Sequence, residues 1–271
     1  QAQRTGAELV FVPNDASGQI DTNALADMID SRVMLIAISH IPTGRGLVNP
    51  AHEVGRIARS AGVPFLLDAC QSVGQLALDV DAIGCDMLSA TGRKYLRGPR
   101  GTGLLYVRKA WITQLDPPLL DQHAATLISP TEYVIRPDAK RFENWEQFFA
   151  GKAALGVAID YALSYGLEAI QARVYGLARQ LRAELAVIDS VELTDEGVEQ
   201  CGIVTFQTAQ LPPAHIKERL REQRINVSTS RSTTTTRRRR STATDAGCEP
   251  GNPRPGGEST GAPRCDRARA E

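Results

Sequence analysis

The chain has 271 residues with 31 basic and 31 acidic side chains, a balance that gives no global field for nucleic acid or a membrane surface. Hydrophobic residues make up 42% and charged residues 23%, ordinary proportions for a globular chain able to bury one large core and a smaller companion. The five cysteines form no CxxC pair and no metal-ligand spacing, which argues against a disulfide frame or a metal site and points to reduced thiols in a cytoplasmic protein.

In chain order, Gln1 opens the sequence where Met is expected, and the first residues read as the end of a helix, so the chain reads as a fragment whose beginning is missing. Residues 8–13 (ELVFVP) form a short apolar run, and 22–29 predict a helix capped by Asp21. Residues 33–39 (VMLIAIS) predict a buried strand. Asn49 then reads as an N-cap with Pro50 in the first turn of a helix running to Ala61 and stopping at Gly62. Further strands are expected at 63–67 (VPFLL), 86–90 and 103–107 (GLLYV). Apolar strands alternating with amphipathic helices predict an α/β fold with a mostly parallel sheet covered on both faces.

The second half changes pattern. Residues 148–165 and 167–186 predict two helices broken at Gly166, followed by a strand at 201–208, a helix at 213–223 and the start of a strand at 225–228. These elements read as a small α+β domain. The expected division is a large α/β domain over 1–165, a small, incomplete domain over 166–235, and a tail over 236–271.

From Ser228 to Glu271 there is no Val, Ile, Leu, Met, Phe, Tyr or Trp, so nothing offsets a chain entropy of roughly 1–2 kcal/mol per residue, and the tail is expected to be disordered. Residues 231–271 hold nine Arg against five acids, a balance of +4 that leaves −4 for residues 1–230. The run TTTTRRRR at 233–240 fits a solvated linker or a frame-shifted ending better than a nucleic-acid tail, because no aromatic residue accompanies the arginines. No apolar run is long enough to span a bilayer, and no signal peptide is visible.

Ligands of open α/β sheets bind at the carboxyl ends of the strands. Three polar clusters fall there: SHIPTGRG at 39–46, DACQS at 68–72, and SATGRKYLRGPRGTG at 89–103. Asp68 directly follows an apolar strand, where a carboxylate needs a cation or hydrogen bonds; a cap on the next turn is the plainer alternative. Lys94 lies 26 residues later, one crossover unit, with Arg93 beside it and the glycine-rich GPRGTG after it. A lysine near other cations loses its proton more readily, as covalent amine chemistry requires. Thr91, the Gly92 backbone and Arg93 suit a phosphate, although GPRGTG alone is explained equally well by a turn into a strand. A dinucleotide fingerprint does not fit, since these glycines precede a strand.

The strings DACQSVGQLALDVDAIGCDMLSATGRKYLRGPRGTGLLYV and RFENWEQFFAGKAALGVAIDYAL resemble the class V aminotransferase family, fold-type-I pyridoxal-phosphate (PLP) enzymes, over about residues 6–231. That group includes cysteine desulfurases, isopenicillin-N-epimerase-like proteins and serine-type aminotransferases. The resemblance implies a PLP-transferase fold and a homodimer acting on a small amino acid by transamination or a related Cα reaction such as epimerisation or C–S cleavage. It implies Lys94 as the Schiff-base residue and proton shuttle, Asp68 on the pyridine nitrogen, and Gln71 on the phenolic oxygen. Thr91 and Arg93 would hold the phosphate, with Thr43 close to the cofactor. His40, which could line the same edge, stays outside the catalytic set.

The departures are specific. Desulfurases of this kind carry a nucleophilic loop cysteine near 226–236, but NVSTSRSTTTT has none; Cys70, Cys85 and Cys201 read as buried core thiols, so desulfurase is disfavoured. Trp145 and Glu146 stand where relatives place the Gly-Thr that reaches a neighbouring subunit's phosphate. A catalytically incompetent remnant of such an enzyme is the competing reading.

Overall fold

The computed structural model describes residues 2–229. The expected disorder of 236–271 and the basic run at 233–240 lie outside the described residues. After a short helix α1 (Ala2–Thr5), the apolar run at 8–13 forms no strand: it has no regular structure and is mostly exposed, with Phe11 85% exposed. Only Val12 packs on the core, and no partner strand among the described residues takes up its backbone hydrogen bonds.

Helix α2 (Thr22–Asp27) starts as its sequence dictates: the Asp21 carboxylate accepts from the Asn23 and Ala24 N–H groups. Strand β1 (Ile36–Ser39) is shorter than its apolar run, because Met34 and Leu35 remain exposed ahead of it. Helix α3 (Ala51–Ala61) ends at Gly62 in the left-handed conformation, φ 66°, as glycine permits. Its start differs from the expectation. Pro50 is the N-cap without a side-chain bond, and the Asn49 amide is used elsewhere, donating to the Ser39 carbonyl and accepting from the Ile20 N–H.

Strands β2 (Phe65–Asp68) and β3 (Met87–Thr91) flank helix α4 (Val80–Ile83), which Asp79 caps; strand β4 (Gly103–Val107) follows. The sheet order is β1-β2-β3-β4, with the first two pairings parallel and β3–β4 antiparallel. The last pairing follows from the short connection between β3 and β4, which cannot make a crossover. Phe65, Leu67, Val54, Ile83 and Leu88 form the main core between the sheet and α3. The expected cover on both faces is incomplete among the described residues, since Leu104 and Leu105 of β4 are exposed.

Beyond helix α5 (Lys109–Ile112), a hairpin of β5 (Ala125–Ser129) and β6 (Glu132–Ile135) leads to a 3-10 turn over Ala139–Phe142. Helices α6 (Phe149–Tyr165) and α7 (Leu167–Ala186) meet at Gly166, φ 84°, as the break predicted. Strands β7 (Val191–Leu193) and β8 (Phe206–Thr208) pair antiparallel, and helix α8 (Pro213–Glu222) follows. The strand expected at 201–208 is therefore confined to its last three residues, because the Arg182 guanidinium takes the carbonyls of Cys201 and Ile203. Residues 225–228 form no strand and find no pairing partner among the described residues. No single described helix is long and apolar enough to cross a membrane.

Candidate active site

The parallel register sets Ser39 beside Asp68 and Asp68 beside Ser89, so the ends of β1, β2 and β3 lie side by side. The three polar clusters leave the sheet at that edge. Asp68, the last residue of β2, is partly buried. Its Oδ1 accepts from the Cys70 N–H at 3.0 Å, and its Oδ2 accepts from the Ser39 hydroxyl at 3.2 Å. Burial pushes the Asp68 carboxyl up, but hydrogen bonds from Cys70 and Ser39 and the charge of Lys94 outweigh it and hold the group below its usual range.

Lys94 is half-buried in the turn after β3, and its amine makes no hydrogen bond or ion pair among the described residues. Its charge acts on Asp68 and on the Cys70 thiol, which brings these three residues into one neighbourhood with Thr91, whose backbone reaches Cys70. Burial first, then Asp68, push the Cys70 thiol up, so it stays protonated. Cys70 is thus a half-buried thiol at the site, a correction to its expected place in the core, whereas Cys85 and Cys201 are fully buried as expected.

The Lys94 turn is built by short bonds. Gly92 N–H donates to Thr102 O, Gly98 N–H to Gly92 O at 2.7 Å, and Arg97 N–H to Lys94 O at 2.9 Å. Leu155 of α6 packs where a side chain at Gly92 or Gly98 would stand, and the Arg97 guanidinium lies 5.2 Å over the Tyr161 ring. On the other side the turn rests on Gly74, φ 85°, whose absent Cβ would fall 2.8 Å from the Leu96 nitrogen and the Tyr95 carbonyl carbon. Only glycine allows that approach.

Gln71 lies in the turn after β2, and its Nε2 donates to Ile41 O at 3.3 Å, which ties the DACQS turn to the loop after β1. Thr91 ends β3. Arg93 is exposed beside Lys94, and Thr43 is exposed in the β1 loop; neither makes a hydrogen bond or ion pair among the described residues. Sequence reasoning missed Gln75, which is fully buried, donates to Gln71 O and accepts from Gly202 N–H, each at 2.7 Å. Nothing in its local pattern marked it. Ser39 stood within a named polar cluster without a role.

A surface cavity of about 510 Å³, lined by Arg59, Pro64, Asp81, Asp86, Arg108 and Trp111, opens at the opposite end of β2 and β3. Arg108 is already engaged there by Asp81 and the carbonyls of Val80 and Cys85, so the cavity adds nothing to the Lys94 edge. Among the described residues no group of three or more potential ligands gathers for a metal.

Parallel strands joined by crossover helices, with a final antiparallel strand, make this an α/β fold whose polar clusters gather at the carboxyl edge of the sheet. A probable cysteine desulfurase of Methanothermobacter thermautotrophicus is 31% identical over 217 residues, covering 80% of this chain and 54% of that protein. A cysteine desulfurase of Yersinia pestis is 34% identical over 77% of this chain and 51% of its own length. The apo structure of cysteine desulfurase from Thermococcus onnurineus superposes with a TM-score of 0.74 at 26% identity, over 83% of this chain and 56% of that one. The cystine C-S lyase C-DES, solved with its product cysteine persulfide, gives 0.75 at 26% identity, over 84% of this chain and 62% of that one. The Aminotransferase class-V family matches residues 1–244, and the chain belongs to that family of PLP-dependent enzymes. It spans about half the length of the curated relatives it matches.

Proposed function

We propose that this chain carries the cofactor edge of a PLP-dependent enzyme that cleaves a C–S bond in a small sulfur-bearing amino acid, with Lys94 as the amine joined to the cofactor. The single observation that supports it is the strand register, which sets Asp68 at the carboxyl edge of the sheet beside β3, whose following turn carries the unengaged Lys94 amine. The donor set fits the group: an ionised carboxylate suits a protonated ring nitrogen, an unengaged amine suits a reactive carbonyl carbon, and the Arg93 guanidinium with the Thr91 hydroxyl suits a phosphate. Bound PLP supplies an electron sink for negative charge at the substrate Cα.

The protein's own residues then have separate tasks. Asp68 would keep a proton on the ring nitrogen, Gln71 would offer its second amide N–H to the ring oxygen, and Lys94 would take and return the proton at the substrate Cα. Thr43 would border the ring from the β1 loop. Transamination and epimerisation start from the same proton transfer; the names of the relatives support C–S cleavage among them. Because residues 226–236 contain no cysteine to take up the sulfur, it would leave with the bonding electron pair as hydrosulfide or a thiol, and hydrolysis of the remaining skeleton would give a keto acid and ammonia. We further propose a large domain over 1–165 and a small one over 166–235, and a cytoplasmic homodimer, supported by the family likeness.

A non-catalytic remnant is the second reading, favoured by exposed apolar side chains such as Phe149 and Leu163 on α6. One experiment separates the two. With PLP added, the protein is expected to show a visible absorption band and to release sulfide from cysteine or cysteine persulfide from cystine, and Lys94→Ala is expected to lose both. A band that survives in Lys94→Ala sinks the assignment of Lys94; a lysine-dependent band without turnover of any small amino acid supports the remnant.

A further inference from the structure

The polar neighbours of Asp68 form a chain that starts outside the proposed catalytic set. The Ile20 N–H donates to Asn49 Oδ1 at 3.0 Å, and Asn49 Nδ2 donates to the Ser39 carbonyl at 2.8 Å. The Ser39 hydroxyl donates to Asp68 Oδ2 at 3.2 Å, while Oδ1 is held from the far side by the Cys70 N–H. Ser39 and Asp68 are register partners on adjacent parallel strands, so their side chains leave the sheet on one face. Ser39 ends β1, an edge strand among the described residues, where only β2 fixes its backbone on the strand side. The Asn49 amide supplies the missing restraint. This explains why Asn49 does not cap α3: its two amide groups are committed to Ile20 and Ser39.

We infer that Ser39 and Asn49 are positioning residues of this site: Asn49 fixes the Ser39 backbone, and the Ser39 hydroxyl fixes Asp68 as an ionised carboxylate at the sheet edge. The inference rests on the proposed role of Asp68, but its physical content belongs to the cofactor-free protein. Two donors on two different oxygens fix the plane of the carboxylate and favour its charged form over its protonated form. The remaining lone pairs stay available to a cation arriving from outside. Ser39 is exposed, so its truncation removes a donor without opening the core.

The test is a carbon-13 carboxyl titration of the cofactor-free protein, with the Asp68 resonance assigned by its loss in Asp68→Asn. Ser39→Ala is expected to move the Asp68 midpoint up by about half a pH unit. Ser39→Thr keeps the hydroxyl and is expected to restore it. Asn49→Ala is expected to give a smaller shift in the same direction. A Ser39→Ala midpoint equal to that of the unaltered protein overturns the inference, as does a Thr variant that titrates like Ala. PLP retention against pH is the second readout: its acid limb should move up with the carboxyl midpoint in Ser39→Ala, and an unmoved limb counts against the inference. If no lysine-dependent band forms at all, the cofactor reading falls while the carboxyl titration still decides the role of Ser39.

Discussion

At the scale of single residues, the edge of the sheet holds two titrating groups with opposite histories. Asp68 stays ionised because donors on both oxygens and the charge of Lys94 outweigh burial. His40, the next residue after Ser39, is buried with Nδ1 lacking a partner among the described residues, and its pKa is lowered to about 4, first by burial and then by His52 on α3. The unfolded chain takes up a proton on this histidine near its ordinary 6.5, whereas the folded protein does so only near 4. The stability tied to neutral His40 is therefore complete above about pH 6.5 and is lost as pH falls through that window, up to roughly 3 kcal/mol. Urea melts from pH 7 to 4 should show this slope, and His40→Asn should flatten it; an equal slope in both proteins removes His40 as its source. Asp68 and Lys94 were both legible in the sequence from their position after apolar strands. The pairing of Ser39 with Asp68 was not, because 29 residues separate the two and only strand register brings them together.

At the scale of elements, the Lys94 turn is held between two surfaces that need missing side chains. Leu155 fills the space beside Gly92 and Gly98, and the backbone of Tyr95 and Leu96 presses on Gly74. Gly74→Ala would place a methyl group 2.8 Å from backbone atoms at a φ of 85°, with a cost of about 2–4 kcal/mol. Thermal melts should show that loss, together with weaker PLP retention as the turn shifts; an unchanged melting temperature rules out the close approach. Helix boundaries at Asp21, Gly62 and Gly166 were readable because caps and left-handed stops are local chemistry. The strand at 201–208 was over-read because an apolar run carries no mark of what its carbonyls will meet, and here they meet Arg182. The β5–β6 hairpin escaped notice, since residues such as Ala125 and Thr126 lack strong strand alternation.

At the scale of the whole described chain, one buried ion pair ties distant parts together. Arg182 of α7 donates to Asp195 at 2.7 Å, and Asp195 accepts from the Thr205 backbone and hydroxyl. Gly46 of the β1 loop packs against Arg182 and Ile203, Arg45 pairs with Glu196, and the Cys201 N–H donates to Gly46 O. The loop that carries Thr43 is thus seated on the segment after β7. Arg182→Leu leaves the Asp195 carboxylate buried without its counter-charge and is expected to cost about 3–5 kcal/mol. Denaturant unfolding measures it, and a loss below about 1 kcal/mol would show that Asp195 is satisfied by Thr205 alone. The sequence by itself determined the α/β class, the family, the main helix ends and the three polar clusters, because periodicity, capping and strand-end chemistry are short-range properties. Only the tertiary structure decided which donors hold Asp68, which glycines admit the Lys94 turn and which guanidinium seats the Thr43 loop. Those choices depend on register and packing between residues far apart in the chain, where no local pattern reaches.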